Sequence, residues 1–363
     1  MITMPTLLLD EEKCRRNIFR MAEKARRNRV TLRPHFKTHQ SHEIGRWLRD
    51  EGTSEITVSS LSMAKYFERD GWKDILVAFP VNILEIDIIN ELAGKIRLSL
   101  LVESVETVYF LGKNLKSPVE LYIKIDTGNL RTGRGWNDYS GISAILDSID
   151  RAEKVIFTGF LTHAGNSYSS RSIAQVSAVH SESISRIIAL KERFKIRYPD
   201  LKISVGDTPS CSLIEDFTMV DEIRPGNYVF YDYTQYIIGS CSPEDIAVAM
   251  ACPVVAIHRE RNEIIIYGGA VHFSKDNIMI GDNATFGPVV YNNGIGWGSV
   301  AEGAYLKKMS QEHGIIHAPE AILDQYNPGD IIKILPVHSC LTANQTREYQ
   351  SLTGRKLSHF QSI

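Results

Sequence analysis

Apolar and polar positions follow two different rhythms along the chain, and the change between them falls near Ser240. Before it, short apolar runs recur between stretches of helical spacing. The run Thr6–Leu9 leads through Asp10, read as an N-cap, into a helix with Ile18, Met21, Ala22 and Ala25 at i, i+3, i+4 and i+7. Strand-like runs follow at Thr31–Pro34, Glu55–Ser59, Ile75–Phe79, Arg97–Val102, Val119–Ile125, Val155–Leu161, Lys202–Val205 and Val220–Arg224. Helical patterns separate them, with Ser41, Ser60 and Ser104 as caps, and a long amphipathic one covers Ser172 to Phe194. Eight strand–helix units in this length match an α/β (β/α)8 TIM-type barrel better than a doubly wound sheet, which has about five or six strands.

Beyond Ser240 the runs Ala247–Arg259, Glu263–Tyr267, Asn277–Ile280 and Ile331–Leu335 are separated by Gly, Asn and Pro. Asn292-Asn293-Gly294 reads as a turn, and only Tyr305–Met309 has a helical pattern. This predicts a second, β-rich domain. The strand within residues 1–10 precedes the first barrel strand and is expected to pair with that C-terminal sheet. The division is therefore a barrel over 11–235 and a β-rich domain from 1–10 plus 236–363.

The 363 residues are 43% hydrophobic, enough for large cores, and 41 basic against 43 acidic residues leave a net charge of −2. Without a positive field, nucleic acid and anionic membranes are excluded as expected partners. The N-terminal Met-Ile-Thr-Met-Pro lacks a basic region followed by an apolar one, and every apolar run is far shorter than the roughly 20 residues of a membrane helix. A soluble cytoplasmic protein is the expectation. Cysteines 14, 211, 241, 252 and 340 are odd in number and scattered, which argues for reduced thiols over a disulfide framework.

Barrel enzymes carry their chemistry on the loops after the strands, and those after strands seven and eight commonly bind phosphate. Here they read Gly206-Asp207-Thr208-Pro209-Ser210 and Arg224-Pro225-Gly226-Asn227-Tyr228. Glycine lets backbone N–H groups approach an anion, and hydroxyls and amides add donors, so a phosphorylated ligand is indicated; ordinary turns have the same composition. After strand one comes Arg33-Pro34-His35-Phe36-Lys37-Thr38-His39-Gln40-Ser41-His42. A lysine crowded by cations at a barrel mouth can act as a nucleophilic amine and form a Schiff base, while the plainer reading is a solvated lysine. Three nearby histidines suggest metal, but a strand end does not aim all three at one point.

The Arg-Pro-His-x-Lys-Thr-His context of Lys37 resembles the cofactor lysine of the fold-type III pyridoxal phosphate enzymes, the alanine racemase-like group, and within it D-serine dehydratase and D-threonine aldolase. The resemblance covers nearly the whole chain. Asp126-Thr127-Gly128-Asn129-Leu130-Arg131-Thr132-Gly133 is similar to the family's D-T-G-x-x-R-x-G, which implies that Arg131 approaches the cofactor's phenolic oxygen. Leu161-Thr162-His163-Ala164-Gly165-Asn166-Ser167-Tyr168 looks like the cofactor-flanking segment, implying His163 and Tyr168 beside the ring. The two glycine loops match the phosphate cradle and implicate Thr208, Gly226 and Asn227. Arg224 is either an arginine facing the pyridine nitrogen, as in alanine racemase, or a salt-bridged strand end.

Pro336-Val337-His338-Ser339-Cys340 bears on the reaction type. Read as a strand, it projects His338 and Cys340 from one face, where nitrogen and thiolate favour zinc and leave open positions as catalysis requires. The family's dehydratases carry His-x-Cys here and its D-threonine aldolases typically His-x-Asp, so the resemblance implies a lyase that eliminates water from a D-β-hydroxy amino acid. In that reading Lys37 first holds pyridoxal phosphate and then removes the Cα proton, and zinc acts as a Lewis acid on the β-hydroxyl. Retro-aldol cleavage to glycine and an aldehyde is the alternative. A racemase needs a second base, for which Tyr267 is the local candidate, and a pyridoxal phosphate carrier consists of the barrel alone. A 3-hydroxyaspartate substrate needs a cation at its distal carboxylate, with His317, Lys275 and Arg347 as candidates. Glu312 and His313 lie in a dehydratase-like segment, Gln311-Glu312-His313-Gly314, without an assigned role. Cys211 reads as a packing residue, and Tyr231-Asp232-Tyr233 as lining the mouth or packing the domain boundary. The resemblance also implies a homodimer.

Overall fold

Asp10 accepts a hydrogen bond from the Lys13 N–H at 3.0 Å and starts the helix Glu11–Asn28, whose Ile18, Met21, Ala22 and Ala25 are buried as their spacing requires. Ser60, Ser104 and Ser172 cap their helices, each accepting from the N–H three residues on. Ser41 precedes the helix His42–Asp50, but its hydroxyl donates to the Glu43 carboxylate at 3.0 Å. The structure, a computed structural model, describes residues 2–361; residues 1, 362 and 363, which the predicted β-rich domain includes, lie outside them.

The chain divides into two compact units. One contains Arg20–Lys37 and Leu48–Gly226; the other contains the described residues up to Phe19, Thr38–Trp47 and Asn227–Gln361. In the first, eight parallel strands run Thr31–Leu32, Glu222–Ile223, Lys202–Val205, Val155–Leu161, Val119–Asp126, Arg97–Val102, Asp74–Pro80 and Glu55–Val58 in spatial order. A parallel bridge between His35 and Thr57 joins the two ends and closes the barrel. Leu76, Leu101, Tyr122 and Leu161 form one buried cluster. Arg33, with its side chain 1% exposed, reaches Glu222 at 2.6 Å, Asp74 at 2.7 Å and Glu55 at 2.6 Å. The sequence pattern marked the place of every barrel strand, with ends shifted by a few residues.

In the second unit, Thr6–Leu9 pairs antiparallel with Val248–Ala251 and parallel with Gln350–Ser351, as expected of the N-terminal strand. Val248–His258 also pairs with Ile331–Ile334 and with Glu263–Tyr267, which continues through His313–His317, Gly296–Met309 and Pro288–Asn293 back to Ile331–Ile334. The core of this sheet includes Leu8, Ile246, Ala249, Ala251, Val290, Trp297 and Leu335. Gly294, at φ +56°, turns the hairpin foreseen at Asn292-Asn293-Gly294. Tyr305–Met309 is not helical but ends the strand Gly296–Met309. Its register shifts between Leu306 and Lys308, which interrupts the regular alternation that would have marked Tyr305–Met309 as a strand.

Two buried histidines give this unit an acid limit. Burial lowers the pKa of His39 to about 3 and that of His359 to about 4. The Tyr349 hydroxyl donates to the His39 carbonyl at 2.6 Å, and its ring packs against His359 at 5.7 Å. Both imidazoles stay neutral in the fold, whereas in the unfolded chain they take protons below about pH 6.5. Stability is therefore present above that pH and is lost as pH falls toward 4, by up to about 1.4 kcal/mol per pH unit for each group. The melting temperature should drop between pH 6.5 and 4.5, and His359→Phe should flatten the drop; an equally steep profile in the variant would assign it to other groups.

Candidate active site

The Lys37 loop is fixed by its neighbours. Phe36 is fully buried, edge-on to Phe67 at 4.8 Å and Trp72 at 5.1 Å, and its N–H donates to Thr57 O at 2.8 Å. Lys37, next to it in the same turn, is exposed. The His35 N–H donates to Pro225 O at 2.9 Å, which ties this loop to the Arg224–Gly226 segment.

Several of the other predicted barrel residues lie close together. Tyr168 Oη accepts from the Thr208 N–H at 3.2 Å, and the His163 and Tyr168 rings lie 6.1 Å apart. His163 Nδ1 bonds the Gly206 carbonyl, and since a carbonyl only accepts, the proton sits on Nδ1 and Nε2 carries the lone pair. Gly206 is required by a close approach: a Cβ there would meet the Arg224 backbone at 2.8 Å. Asp207, held by the Ser167 hydroxyl at 2.7 Å, caps the short helix Thr208–Leu213 by accepting from the Ser210 N–H at 2.8 Å. Lys24 Nζ closes its other end on the carbonyls of Ser212 at 2.8 Å and Ile214 at 2.9 Å. Cys211 is buried there, and burial pushes its thiol pKa up, in keeping with a packing role.

Asp126 Oδ1 gathers the N–H groups of Gly128 at 2.8 Å, Asn129 at 2.9 Å and Leu130 at 3.1 Å, shaping the turn that presents Arg131. The charges of Lys37 and Arg131 act on both His35 and His163. Burial first, and these cations second, hold His163 near pKa 3 and His35 well below the ordinary value. Lys124 is buried and lowered to about 8, by burial and then by Arg224 and Arg131. Arg224 is buried, lowered to about 10 by burial, and donates to the Ser204 hydroxyl and, at 2.7 Å, to Thr162 O. Its hydrogen bonds thus differ from those of a salt-bridged strand end.

A loop set that gathers Lys37, Arg131, Lys124 and Arg224 around neutral imidazoles suits a ligand with several negative charges. The Ser210 hydroxyl, buried and without a hydrogen-bond partner among the described residues, adds a donor beside Thr208. With a primary amine at Lys37 to condense with a carbonyl, these residues fit pyridoxal phosphate. Lys124 and His35 were not singled out as site residues from the sequence; Lys124 precedes the Asp126 motif by one strand repeat, which is the signal that marked it.

In the other unit, His338 and Cys340 do not lie in a strand. Ile331–Ile334 ends two residues before Pro336, which lacks the N–H a ladder needs, and His338 at φ −135° is the N-cap of the helix Ser339–Thr346. The two side chains still meet through a hydrogen bond. Asn227 does not point its amide at a phosphate loop: Nδ2 donates to Asp232 Oδ2 at 2.6 Å, to Ser339 Oγ at 2.9 Å and toward Cys340 Sγ at 3.5 Å. Thr38 Oγ1 lies 3.2 Å from the same sulfur. Burial alone would lower the His338 pKa, but Cys340, Asp232 and Asp276 outweigh it and hold it at about 10. A nitrogen and a sulfur donor side by side fit zinc. Among the described residues no third His, Cys, Asp or Glu joins the pair, which leaves the open positions of a catalytic site. Glu312 lies 3.8 Å from His272, whose ring packs edge-on to Tyr267 at 5.6 Å. Asp232 and Asp276 were missed as site residues, although Asp232 with Gln235 three residues on has the spacing of a helix cap, which it is.

Residues 9–234 match the model of the alanine racemase N-terminal domain, and residues 247–352 that of a putative serine dehydratase domain. The chain belongs to the alanine racemase-like family. The resemblance read from its motifs holds. D-threo-3-hydroxyaspartate dehydratase of Delftia sp. strain HT23 is 31% identical, covering 96% of this chain and 94% of that one. D-serine dehydratase of Dictyostelium discoideum is 29% identical, covering 97% and 94%. The solved Delftia sp. HT23 structure superposes with a TM-score of 0.92 at 28% identity over 100% of this chain and 98% of that one. Solved forms of D-threo-3-hydroxyaspartate dehydratase include a cysteine-to-alanine mutant in the metal-free form. D-threonine aldolase of Filomicrobium marinum, at TM-score 0.83 and 19% identity over 99% of this chain and 97% of that one, shares the fold. Family and fold imply pyridoxal phosphate for this alanine racemase-like chain. No helix among the described residues is long and apolar enough to cross a membrane.

Proposed function

We propose that the protein is a pyridoxal phosphate- and zinc-dependent lyase, a cytoplasmic homodimer, that removes water from a D-β-hydroxy amino acid of the D-serine type to give an α-keto acid and ammonia. The observation that carries this reading is the His338–Cys340 pair, nitrogen and sulfur brought together in a negative field, in a chain whose barrel offers Lys37 among cations. In this reading the barrel, 11–235, holds the cofactor through Lys37, Arg131, His163, Tyr168, Thr208, Gly226 and the backbone of Asn227, whose side-chain amide is engaged by Asp232 and Ser339. The domain of 1–10 plus 236–363 carries His338 and Cys340.

Pyridoxal phosphate, when bound, supplies an electron sink for the charge left on Cα. A metal on His338 and Cys340 supplies Lewis acidity toward the departing β-hydroxyl. The Lys37 amine would remove the Cα proton as general base. The C–H electron pair becomes the Cα–Cβ π bond as the Cβ–O bond breaks, and the departing hydroxide takes up the proton that Lys37 removed and leaves as water. The released aminoacrylate tautomerises, adds one water and loses ammonia, so D-serine yields pyruvate and ammonia. Arg131 and the neutral His163 hold the cofactor, His163 fixed by its bond to Gly206. Cys340, where the resemblance gives aldolases an aspartate, favours elimination over retro-aldol cleavage.

The test offers purified protein, with pyridoxal phosphate and zinc, D-serine, L-serine, D-threonine and D-threo-3-hydroxyaspartate in turn, with and without EDTA. Keto acid and ammonia from a D-substrate, abolished by EDTA, are expected. Cys340→Ala should lose at least about 10²-fold in turnover while keeping the cofactor's visible absorbance. Glycine plus aldehyde would make it an aldolase, and racemised substrate without EDTA sensitivity would overturn the metal reading.

A further inference from the structure

The two residues of the metal pair are themselves held by hydrogen bonds from groups outside the pair. His338 Nδ1 lies 2.7 Å from Asp276 Oδ2. A carboxylate at neutral pH only accepts, so the shared proton is on Nδ1, and the nitrogen left to bind a cation is Nε2. Cys340 Sγ has Thr38 Oγ1 at 3.2 Å and Asn227 Nδ2 at 3.5 Å. Asp232 fixes the backbone between the two ligands, accepting the Ser339 N–H at 3.0 Å.

The Asp276 segment is built onto the element that bears Cys340. The short helix Ala270–Phe273 ends in Ser274, at φ +83°, whose Oγ accepts from the Asp276 N–H at 3.2 Å. The Phe273 carbonyl accepts from the Thr342 hydroxyl at 2.9 Å, and Thr342 lies in the helix Ser339–Thr346. Asp276 therefore faces His338 from a segment anchored to the same helix as the thiolate.

We propose that Asp276 is a positioning residue for the metal: its carboxylate fixes the tautomer and ring orientation of His338, so that Nε2 and the Cys340 sulfur meet one cation. This rests on the reading of His338 and Cys340 as the metal pair. Ligand histidines lose metal affinity when their outer hydrogen-bond partner is removed, by about 10- to 100-fold. The Asp276 side chain is 49% exposed, so its removal leaves the fold intact and metal affinity moves alone.

The experiment uses the full-length holoenzyme, stripped of metal and reloaded with Zn2+ in competition with a chromophoric chelator, and with Co2+ for its visible spectrum. Asp276→Ala should bind Zn2+ about 10- to 100-fold more weakly than the unaltered protein. Asp276→Asn, which keeps an acceptor without its charge, should fall between the two, and both should melt with the unaltered protein. The ligand-field bands of bound Co2+ should change while the sulfur-to-cobalt band persists, because Cys340 still binds. Zinc affinity within about twofold of the unaltered protein in Asp276→Ala, with an unchanged cobalt spectrum, would overturn the role of Asp276 and leave the metal pair standing. Equal zinc affinity in Cys340→Ala would instead remove the metal pair and this inference with it.

Discussion

Lys37→Ala is expected to abolish turnover, by about 10³-fold or more, and to remove the cofactor's visible absorbance while leaving the melting temperature of the apoprotein unchanged. The two losses have different origins. In the proposed reading the covalent attachment of pyridoxal phosphate goes because alanine has no amine, and proton removal from Cα goes because no base stands in its place. The fold is spared because Lys37 lies on the exposed side of a loop whose anchor is the neighbouring buried Phe36. Lys37→Arg separates these roles: it keeps the positive charge that helps hold His35 and His163 neutral, yet its guanidinium neither condenses with a carbonyl nor serves as a base at neutral pH. It should therefore be as inactive as the alanine variant. Binding of phosphate alone should weaken more in Lys37→Ala than in Lys37→Arg, since only the first removes a cation from the mouth. Turnover above about a tenth of the unaltered rate in either variant would take the central role away from Lys37.

The barrel was legible because its strands are buried on both faces and so appear as short unbroken apolar runs, as in Arg97–Val102 and Val119–Asp126. The site residues after those strands were legible for a related reason, since a strand end fixes where the next few side chains go. Lys37, His163, Tyr168 and Thr208 each lie on the loop that follows a barrel strand. Tyr305–Met309 misled because a register shift between Leu306 and Lys308 breaks the alternation by which a strand is recognised. The grouping around the metal pair was hidden for another reason. Asp276 is 62 residues from His338, and Thr38 is 302 residues from Cys340, so no local spacing connects them. Asn227 stands in a loop that reads as a phosphate cradle, and only its partners, Asp232 and Ser339, reveal where its amide goes. Local pattern specifies elements, whereas partners across the chain are set by packing that no window of sequence contains.

Arg33→Met carries the largest expected cost to stability. The guanidinium is buried in the barrel and answers three carboxylates, with Glu222 as buried as itself at 1% exposure. These acids raise the Arg33 pKa even though burial, the largest influence, opposes it. Removing the cation leaves Glu222 charged and unpaired in the interior, which costs about 3–5 kcal/mol and should lower the melting temperature by roughly 6–20 °C. Glu55 and Asp74 are better hydrated, and Asp74 keeps Arg97 at 3.3 Å, so Glu222 dominates the cost. Arg33→Met combined with Glu222→Leu should then recover a large part of the loss, because the unpaired charge has gone with its partner. Arg33→Lys should fall between, since one ammonium does not reproduce a fork that reaches three acids. The damage also extends to the mouth. Glu222 accepts from the Ser204 hydroxyl, Ser204 accepts from Arg224, and Arg224 donates to the carbonyl of Thr162, beside His163. A displaced Glu222 therefore releases Arg224, and the double variant, stable again but lacking this link, should bind pyridoxal phosphate more weakly than the unaltered protein. Melting within about 2 °C of the unaltered protein for Arg33→Met would show that the barrel does not depend on this ion group. Unaltered cofactor affinity in the double variant would show that Arg224 holds its place by Thr162 alone.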